Sequence, residues 1–256
     1  MKIDLNCDMG ESFGRYRLGT DAEIMPFVSS ANIACGLHAS DPLVMEQTVR
    51  LATEQSVGIG AHPGFPDLQG FGRRSMQLTA EEAEAFVLYQ IGALAGFVQA
   101  AGAELVHVKP HGALYNQAAK DRTLAEAVAR GVARFSRRLI LVGLANSALI
   151  EAGRQAGLPV AQEAFADRAY EADGSLRSRL LPGAVLHDPA QAAEQAVRIA
   201  RDGTVRAYTG EEVRVQADTL CLHGDTPTAL TIAQAIGEGL AEAGVAVVSL
   251  KRIKGA

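Results

Sequence analysis

The stretch Ile3-Asp4-Leu5-Asn6-Cys7-Asp8-Met9-Gly10-Glu11 carries the pattern that decides the fold. Side chains alternate in a β-strand, so Asp4, Asn6 and Asp8 share one face and the apolar residues between them share the other. The apolar face can pack against helices, which directs the polar face inward. Because buried carboxylates are costly unless they are paired or hydrogen-bonded, this face predicts a functional site, with Asp8 favoured over Asp4. A polar network that only stabilises the interior is the alternative.

Six further strand-like apolar runs follow along the chain, and segments with helical periodicity lie between them. The runs are Ala31–Cys35, Val57–Ala61, Leu105–Lys109, Leu139–Gly143, Val160–Glu163 and Thr219–His223. This alternation predicts a parallel sheet covered by helices, either open or closed. We favour a closed α/β barrel, because most of these runs end in polar residues that a barrel gathers at one mouth. We expect one domain, residues 1–256, with Val245–Leu250 as a candidate eighth strand.

Capping residues mark several helix boundaries. Thr79 and Glu82 form a capping box at the start of the periodic segment Thr79–Ala101. An N-cap residue followed by proline predicts three more helix starts, at Asp41-Pro42, Asp188-Pro189 and Thr226-Pro227. Val205–Tyr208 and Val213–Val215 alternate around a Thr-Gly pair and predict a small hairpin.

The composition excludes several classes of protein. The chain has 256 residues, a net charge of −5 and no Lys/Arg run longer than two, which argues against a nucleic-acid partner. Three cysteines are too few and too scattered for a disulfide framework and fit a reducing compartment. We see no apolar signal-peptide run, and no stretch approaches the roughly 18 apolar residues of a membrane span. We therefore expect a cytoplasmic protein without a membrane partner.

Candidate site residues cluster at the predicted strand ends. One histidine follows each of the second and third strands, and the fourth strand places His107, Lys109 and His111 on one face. Besides Asp8, the candidates are Asn6, His38, His62, Lys109, His111, Glu163, Arg168, His223 and Asp225. Histidines that are simply satisfied within the core, and an internal ion pair for Lys109, are the alternatives. Cys35 fits a small core residue better than a nucleophile.

The loop after His62, residues 63–74, is rich in Gly and Pro and ends in Arg73 and Arg74. Exposed Phe beside Arg predicts a lid that grips an anion, and an ordinary surface loop is the alternative. The chain has no phosphate-binding or dinucleotide-binding glycine motif, no G-x-S-x-G motif and no HExxH or paired CxxC motif. We assign no metal ligands, but a metal site assembled from several strand ends stays open.

Taken together, these motifs resemble the LamB/YcsF family. The matching segments are 4–14, 31–36 with His38 and Asp41-Pro42, 60–67, 70–74, 108–116, 163–168 and 223–225. They keep one order over nearly the whole chain, which makes the match specific. One departure is Leu37, where the family pattern leads us to expect Phe.

The resemblance implies a distorted seven-stranded TIM-like barrel of the glycoside hydrolase/deacetylase type. It also implies an ATP-dependent 5-oxoprolinase reaction, in which 5-oxo-L-proline is opened to L-glutamate with partner subunits B and C. ATP would be a cosubstrate bound mainly by the partners, and a divalent metal stays open. The alternatives are a metal-dependent deacetylase-like hydrolase and a non-catalytic oxoproline-binding subunit.

On this hypothesis, each candidate residue has a role. Asp8 is the general base or proton shuttle, and His62 or His111 protonates the ring nitrogen. Lys109 and Arg168 hold a carboxylate or phosphoryl group. The remaining candidates bind substrate: Asn6, His38, Arg73, Glu163, His223 and Asp225.

Overall fold

The computed structural model describes residues 1–178, 181–222 and 228–255, and these residues form ten β-strands and nine α-helices. The strands are β1 (Lys2–Met9), β2 (Ser30–Ala34), β3 (Gly58–His62), β4 (Leu105–Val108), β5 (Ile140–Leu144), β6 (Val160–Phe165), β7 (Thr204–Arg206), β8 (Glu212–Arg214), β9 (Thr219–Leu222) and β10 (Ala246–Val247). The helices are α1 (Asp21–Ile24), α2 (Pro42–Glu54), α3 (Ala80–Ala100), α4 (Gly112–Ala118), α5 (Arg122–Phe135), α6 (Ala148–Gln155), α7 (Pro189–Asp202), α8 (Ala229–Glu242) and α9 (Leu250–Lys254). A 3-10 turn spans Met25–Phe27.

Seven of these strands close into a parallel barrel. The order runs from β1 through β2, β3, β4, β5 and β6 to β9, and β9 pairs back with β1. Helices α2, α3 and α6 pack against the strands from outside. This closure confirms the predicted barrel and each of its seven strands.

The candidate eighth strand at Val245–Leu250 is confirmed in part, because β10 lies within this run and pairs parallel with β1 but does not belong to the closed ring. β10 has only two residues and pairs with Lys2 and Ile3 at the very start of β1. From Asp4 onward, β1 pairs with β9 and then with β2, so β10 stays outside the closed ring. The hairpin prediction is confirmed, because β7 and β8 pair antiparallel.

The predicted helix starts are confirmed wherever the structure describes them. Thr79 accepts from the Glu82 N–H while the Glu82 carboxylate accepts from the Thr79 N–H, which completes the capping box of α3. Asp41 caps α2 and Asp188 caps α7. The Thr226-Pro227 prediction lies outside the described residues.

Helix α3 is more apolar than we expected from its sequence. Among the described residues, α3 is the one helix that is long enough and apolar enough to cross a membrane, judged by length and composition alone. The expectation that no stretch approaches such a span is therefore wrong. Because Val87, Ile91 and Leu94 are buried in the core of the barrel wall, we interpret α3 as a wall helix.

The polar face of β1 lies inside the barrel, as its alternation predicted. Ile3, Leu5 and Cys7 belong to the hydrophobic core. Asp4 and Asn6 are buried and hydrogen-bonded to side chains on neighbouring strands. The barrel interior is therefore a stack of polar layers that leads up to the carboxyl ends of the strands.

Glycine at position 60 makes room for one of these layers. The register places Asp8 beside Asn32, Asn32 beside Gly60, and Gly60 beside His107. Across Gly60, the His107 ring reaches Asn32, with 2.7 Å between His107 Nε2 and Asn32 Oδ1. A Cβ at position 60 would overlap the His107 ring.

Gly60→Ala therefore tests this packing. We expect it to lower the free energy of unfolding by about 1–3 kcal/mol, because the His107 ring must leave its position. Gly92→Ala is the matched control, since a Cβ there meets nothing within 4 Å and helix α3 gains up to about 1 kcal/mol. Urea unfolding of both variants checks the prediction, and equal midpoints would contradict it.

Candidate active site

A cavity of about 770 Å³ opens at the carboxyl ends of the barrel strands. It brings together side chains that are far apart in the sequence. Those that line it include Asp8, Glu11, His62, Arg73, Lys109, His111, Tyr115 and Arg168. This convergence follows from the closed barrel, in which every strand ends at the same mouth.

The ammonium group of Lys109 lies at the centre of the cavity floor. Its Nζ is 2.9 Å from Glu163 Oε1, 3.0 Å from Asp8 Oδ1 and 3.1 Å from Asn6 Oδ1. Cys221 Sγ is a fourth neighbour at 3.1 Å. Burial by itself lowers the pKa of Lys109, but Asp8 and Glu163 outweigh it and hold that pKa well above its usual value. Lys109 is therefore a fixed positive charge between two carboxylates.

Below Lys109, a second polar layer supports the first. Asn6 Nδ2 donates to Glu163 Oε1 at 3.0 Å, and Asn32 Nδ2 donates to Asn6 Oδ1 at 2.7 Å. Asp4 lies lower still and accepts hydrogen bonds from hydroxyl groups, although burial raises its pKa to about 6. The alternation of β1 thus gives Asp4 a structural place and Asp8 the place beside the cavity.

Three histidines pack against each other beside Asp8. The rings of His38 and His111 stack with centroids 3.8 Å apart, and His62 meets His111 edge-on at 4.8 Å. His62 Nε2 lies 3.3 Å from Asp8 Oδ2. Burial lowers the pKa of His111 to about 3 and that of His38 well below its usual value, so both rings are neutral.

The carboxylate of Glu11 completes this group. Its Oε1 is 3.5 Å from His111 Nδ1 and 3.8 Å from His38 Nε2. Glu11, His38, His62 and His111 each direct one potential ligand atom to a common point, and these atoms lie within 4.8 Å of one another. Three imidazoles and a carboxylate form a donor set suited to a divalent transition-metal ion.

Comparison with known proteins identifies the family. The model of the LamB/YcsF family matches residues 3–255. The chain belongs to the LamB/YcsF family. A member from Chloroflexus aggregans, named as the A subunit of 5-oxoprolinase, is 60% identical over 247 residues, which cover 96% of this chain and 98% of that protein.

Solved structures agree with this assignment. The crystal structure of a lactam utilization protein from Thermus thermophilus is 51% identical, with a TM-score of 0.94, and the match covers 98% of this chain and 100% of that one. A structure described as "T48 deacetylase with substrate" has a TM-score of 0.51 at 15% identity, covering 98% of this chain and 89% of that one, and it shares the fold alone. The LamB/YcsF chain thus shares its barrel fold with that structure.

The structure brings most of the predicted site residues of this LamB/YcsF chain together. Residues at the cavity floor or in the layer that supports it are Asn6, Asp8, His38, His62, Lys109, His111 and Glu163. Arg73 and Arg168 line the cavity. His223 and Asp225 lie outside the described residues.

Sequence reasoning missed Glu11, Asn32 and Cys221 as neighbours of the site. Glu11 stands at the end of the first quoted stretch, and Asn32 follows the same alternation on the neighbouring strand as Asp8 does on β1. Cys221 reaches Lys109 only because β9 closes the barrel against β1. The first two had a signal in the sequence, whereas the third depended on closure.

The loop after His62 lies against the histidines, and the prediction of exposed Phe beside Arg holds in part, because Phe71 next to Arg73 is half-buried. Phe65 is buried, and Asp67 accepts from the Arg74 guanidinium and from the Gly70 N–H. Gly72 has a φ of +61° and lies so close to His38 that an added Cβ would clash. Glycine therefore lets this loop close directly on the histidine group.

The remaining sequence predictions described here concern Arg73, Arg168 and Cys35. Arg73 places its guanidinium carbon 4.9 Å from the centroid of the Phe71 ring. Arg168 donates to the carbonyl oxygens of Ala184 and Arg177, which fastens the connection after β6. Burial raises the pKa of Cys35 to about 12, so the group is a neutral thiol.

The buried His107 gives a pH-dependent prediction. Burial lowers its pKa from 6.5 to about 3, so below pH 6.5 the unfolded chain binds a proton that the folded chain refuses. Stability present above pH 6.5 is therefore lost as the pH falls toward 3, at up to about 1.4 kcal/mol per pH unit for one histidine. His107→Gln should make the slope of unfolding free energy against pH shallower by that amount.

Urea unfolding between pH 4 and 6 measures this slope. His187→Gln is the control, because His187 is exposed. A His107→Gln slope identical to that of the unaltered protein would show that the prediction is wrong.

Proposed function

We propose that this chain is the lactam-opening component, the A subunit, of an ATP-dependent 5-oxoprolinase. The reaction converts 5-oxo-L-proline, ATP and water to L-glutamate, ADP and phosphate. On this proposal the chain works in the cytoplasm with partner subunits B and C. The 5-oxoprolinase A subunit of Chloroflexus aggregans matches 96% of this chain, and the mouth of this chain's barrel holds a site of carboxylates, histidines and a lysine. This combination is the observation that supports the proposal.

The need for ATP follows from the substrate. An unstrained five-membered lactam resists hydrolysis, and phosphorylation of its amide oxygen makes the ring carbon electrophilic. The chain has no G-x-x-x-x-G-K-[ST] loop, so we assign the main ATP-binding role to the partners. The activated lactam would then react in the cavity of this chain.

Asp8 is the proposed general base. Lys109 and the Asn32 amide hold its Oδ1, at 3.0 Å and 2.9 Å, which fixes the carboxylate as an anion. Its side chain is 18% exposed, whereas Lys109 and Glu163 are almost fully buried. Of the two carboxylates that contact Lys109, Asp8 is therefore the one that can reach a water molecule in the cavity.

His62 is the proposed acid for the ring nitrogen, in preference to His111. Its Nε2 lies 3.3 Å from Asp8 Oδ2, directly beside the proposed base, whereas burial keeps His111 neutral. Addition of water to the activated ring carbon gives a tetrahedral carbon, which can lose either the ring nitrogen or the phosphate. Proton transfer to the nitrogen decides between these two outcomes. Loss of phosphate restores the lactam, but loss of the protonated nitrogen opens the ring to an acyl phosphate that a second water cleaves.

The remaining predicted residues either hold Asp8 in position or supply positive charge for the substrate. The three N–H groups of Lys109 donate to protein acceptors, so we assign Lys109 to positioning Asp8 rather than to binding the substrate. Asn6 and Glu163 lie beneath Lys109 and hold it in place. Arg73 and Arg168 line the cavity and supply the cations for a carboxylate or phosphoryl group.

The assay is glutamate release from oxoproline and ATP by the complex reconstituted with subunits B and C. We expect Asp8→Asn to lower kcat by at least about 100-fold, because the base is lost while the shape is kept. Asp202→Asn is the matched control, since Asp202 is exposed and pairs with Arg201 away from the cavity. An Asp8→Asn complex with the rate of the unaltered one would contradict the proposal.

The same assay separates two competing functions. If the chain only presents oxoproline to its partners, Asp8→Asn changes oxoproline affinity in calorimetry and leaves kcat unchanged. The group Glu11, His38, His62 and His111 favours a second candidate, a metal-dependent deacetylase-like hydrolase. Release of acetate from N-acetylated sugars by the isolated chain, without ATP, would support that candidate and contradict ours.

A further inference from the structure

Hydrogen bonds to two backbone carbonyls fix which ring nitrogen carries the hydrogen in neutral His62 and neutral His111. His62 Nδ1 lies 2.7 Å from the Lys109 carbonyl oxygen, and His111 Nε2 lies 2.9 Å from the Phe71 carbonyl oxygen. A carbonyl oxygen only accepts, so in each neutral ring the nitrogen that faces it carries the hydrogen. His62 Nε2 and His111 Nδ1 are therefore the nitrogens with lone pairs.

These two lone pairs point at each other. His62 Nε2 and His111 Nδ1 are 3.0 Å apart, and two acceptors at that distance repel unless a cation lies between or beside them. An outer ring N–H held by a backbone carbonyl is also the usual support of a metal-binding histidine, because it orients the ring and makes the inner nitrogen more basic.

His38 provides an independent observation. Its side chain is fully buried, and neither ring nitrogen has a hydrogen-bond partner among the described residues. Its Nε2 faces Glu11 Oε1 at 3.8 Å, which is too long for a hydrogen bond. A buried polar group without a partner is costly, so the position of His38 needs an explanation.

Local charge beside the histidines favours a cation, because the Glu11 carboxylate lies near His38 and His111 and the Asp8 carboxylate faces His62. Asp8 and Glu163 contact the ammonium of Lys109, whereas Glu11 lies 3.5 Å from His111 Nδ1. Arg73 contributes positive charge from beside the Phe71 ring. A proton shared by His62 and His111 would satisfy those two rings and leave His38 unsatisfied, whereas a metal ion can use all four side chains.

We propose that Glu11, His38, His62 and His111 bind one divalent transition-metal ion of the Zn²⁺ class. The ligand atoms are Glu11 Oε1, His38 Nε2, His62 Nε2 and His111 Nδ1, with separations of 3.0, 3.5 and 3.8 Å between neighbouring pairs. Ligands about 2.0–2.1 Å from Zn²⁺ at tetrahedral angles lie at similar separations. Such an ion supplies Lewis-acid polarisation directly beside Asp8.

The metal site concerns the same cavity as the proposed lactam reaction, but it does not depend on that reaction. With the ion bound, His62 is a ligand, and Asp8 alone would carry the proton from water to the ring nitrogen. The carbonyl oxygens of Lys109 and Phe71 hold the two ligand rings in either case.

The test uses the full chain with no affinity tag, because a polyhistidine tag binds the same ions. The chain is stripped with a chelator and titrated with Zn²⁺ by equilibrium dialysis, and with Co²⁺ by visible absorption. We expect one ion per chain and the intense d–d bands of low-coordinate Co²⁺. Absence of stoichiometric binding by either ion would overturn the proposal.

His38→Gln is the decisive variant, and His107→Gln is its matched control. We expect His38→Gln to weaken Zn²⁺ binding by at least about 100-fold and His107→Gln, which removes a buried histidine outside the group, to leave it unchanged. Equal Zn²⁺ affinity of His38→Gln and the unaltered chain would overturn the site. If His38→Gln lacks the native circular dichroism spectrum, Glu11→Gln replaces it with the same expectation.

Glutamate release by the reconstituted complex is measured separately on the same preparations. Stoichiometric Zn²⁺ binding without glutamate release supports the metal site and contradicts the lactam proposal. Glutamate release by a chain that binds neither ion supports the lactam proposal and overturns the metal site.

Discussion

The ammonium group of Lys109, held between the carboxylates of Asp8 and Glu163, is the interaction on which the rest of the barrel interior depends. Two carboxylates could not share this buried floor without it, because each would bear a large desolvation cost. Asn6 links the layers, since its Nδ2 donates to Glu163 while its Oδ1 accepts from Lys109. One charge thus links the inner faces of β1 and β6 to the end of β4 across the barrel and holds the Asp8 carboxylate beside the cavity.

This arrangement separates two kinds of side chain at the mouth. The Lys109 side is charged and tightly hydrogen-bonded, so its members are fixed in position. On the histidine side, burial keeps His38 and His111 neutral, and their stacked rings are closed off by a loop whose glycines approach both of them. Asp8 touches both sides, through Lys109 at one oxygen and His62 at the other. A floor that holds the Asp8 carboxylate in place while leaving it partly exposed to the cavity is well suited to proton transfer.

Much of this arrangement was predictable from the sequence. The alternation of β1 placed Asp8 inside, and the run of polar residues at strand ends predicted a closed barrel with one mouth. The parity of His107, Lys109 and His111 on the fourth strand correctly put all three inside. These successes share a cause, because strand periodicity and parallel direction are local properties of the chain.

The failures come from packing and closure, which no local pattern encodes. Phe65 is buried because the loop folds down onto the histidines, and the length of an apolar run at 245–250 could not show that β10 stays outside the ring. The sequence offered an internal ion pair as one alternative for Lys109, but it could not show that all its donors would be used on protein acceptors. Distances between side chains on different strands decide that, and they follow from register.

A double-mutant cycle between Lys109 and Glu163 tests the central claim most directly. Lys109→Met leaves the buried carboxylates without their cation, and the free energy of unfolding should fall by about 3–5 kcal/mol. Adding Glu163→Gln removes one of those carboxylates, so Lys109→Met with Glu163→Gln should be more stable than Lys109→Met alone, as measured by urea unfolding. If instead the two losses of stability simply add, Lys109 and Glu163 do not depend on each other and the account is wrong.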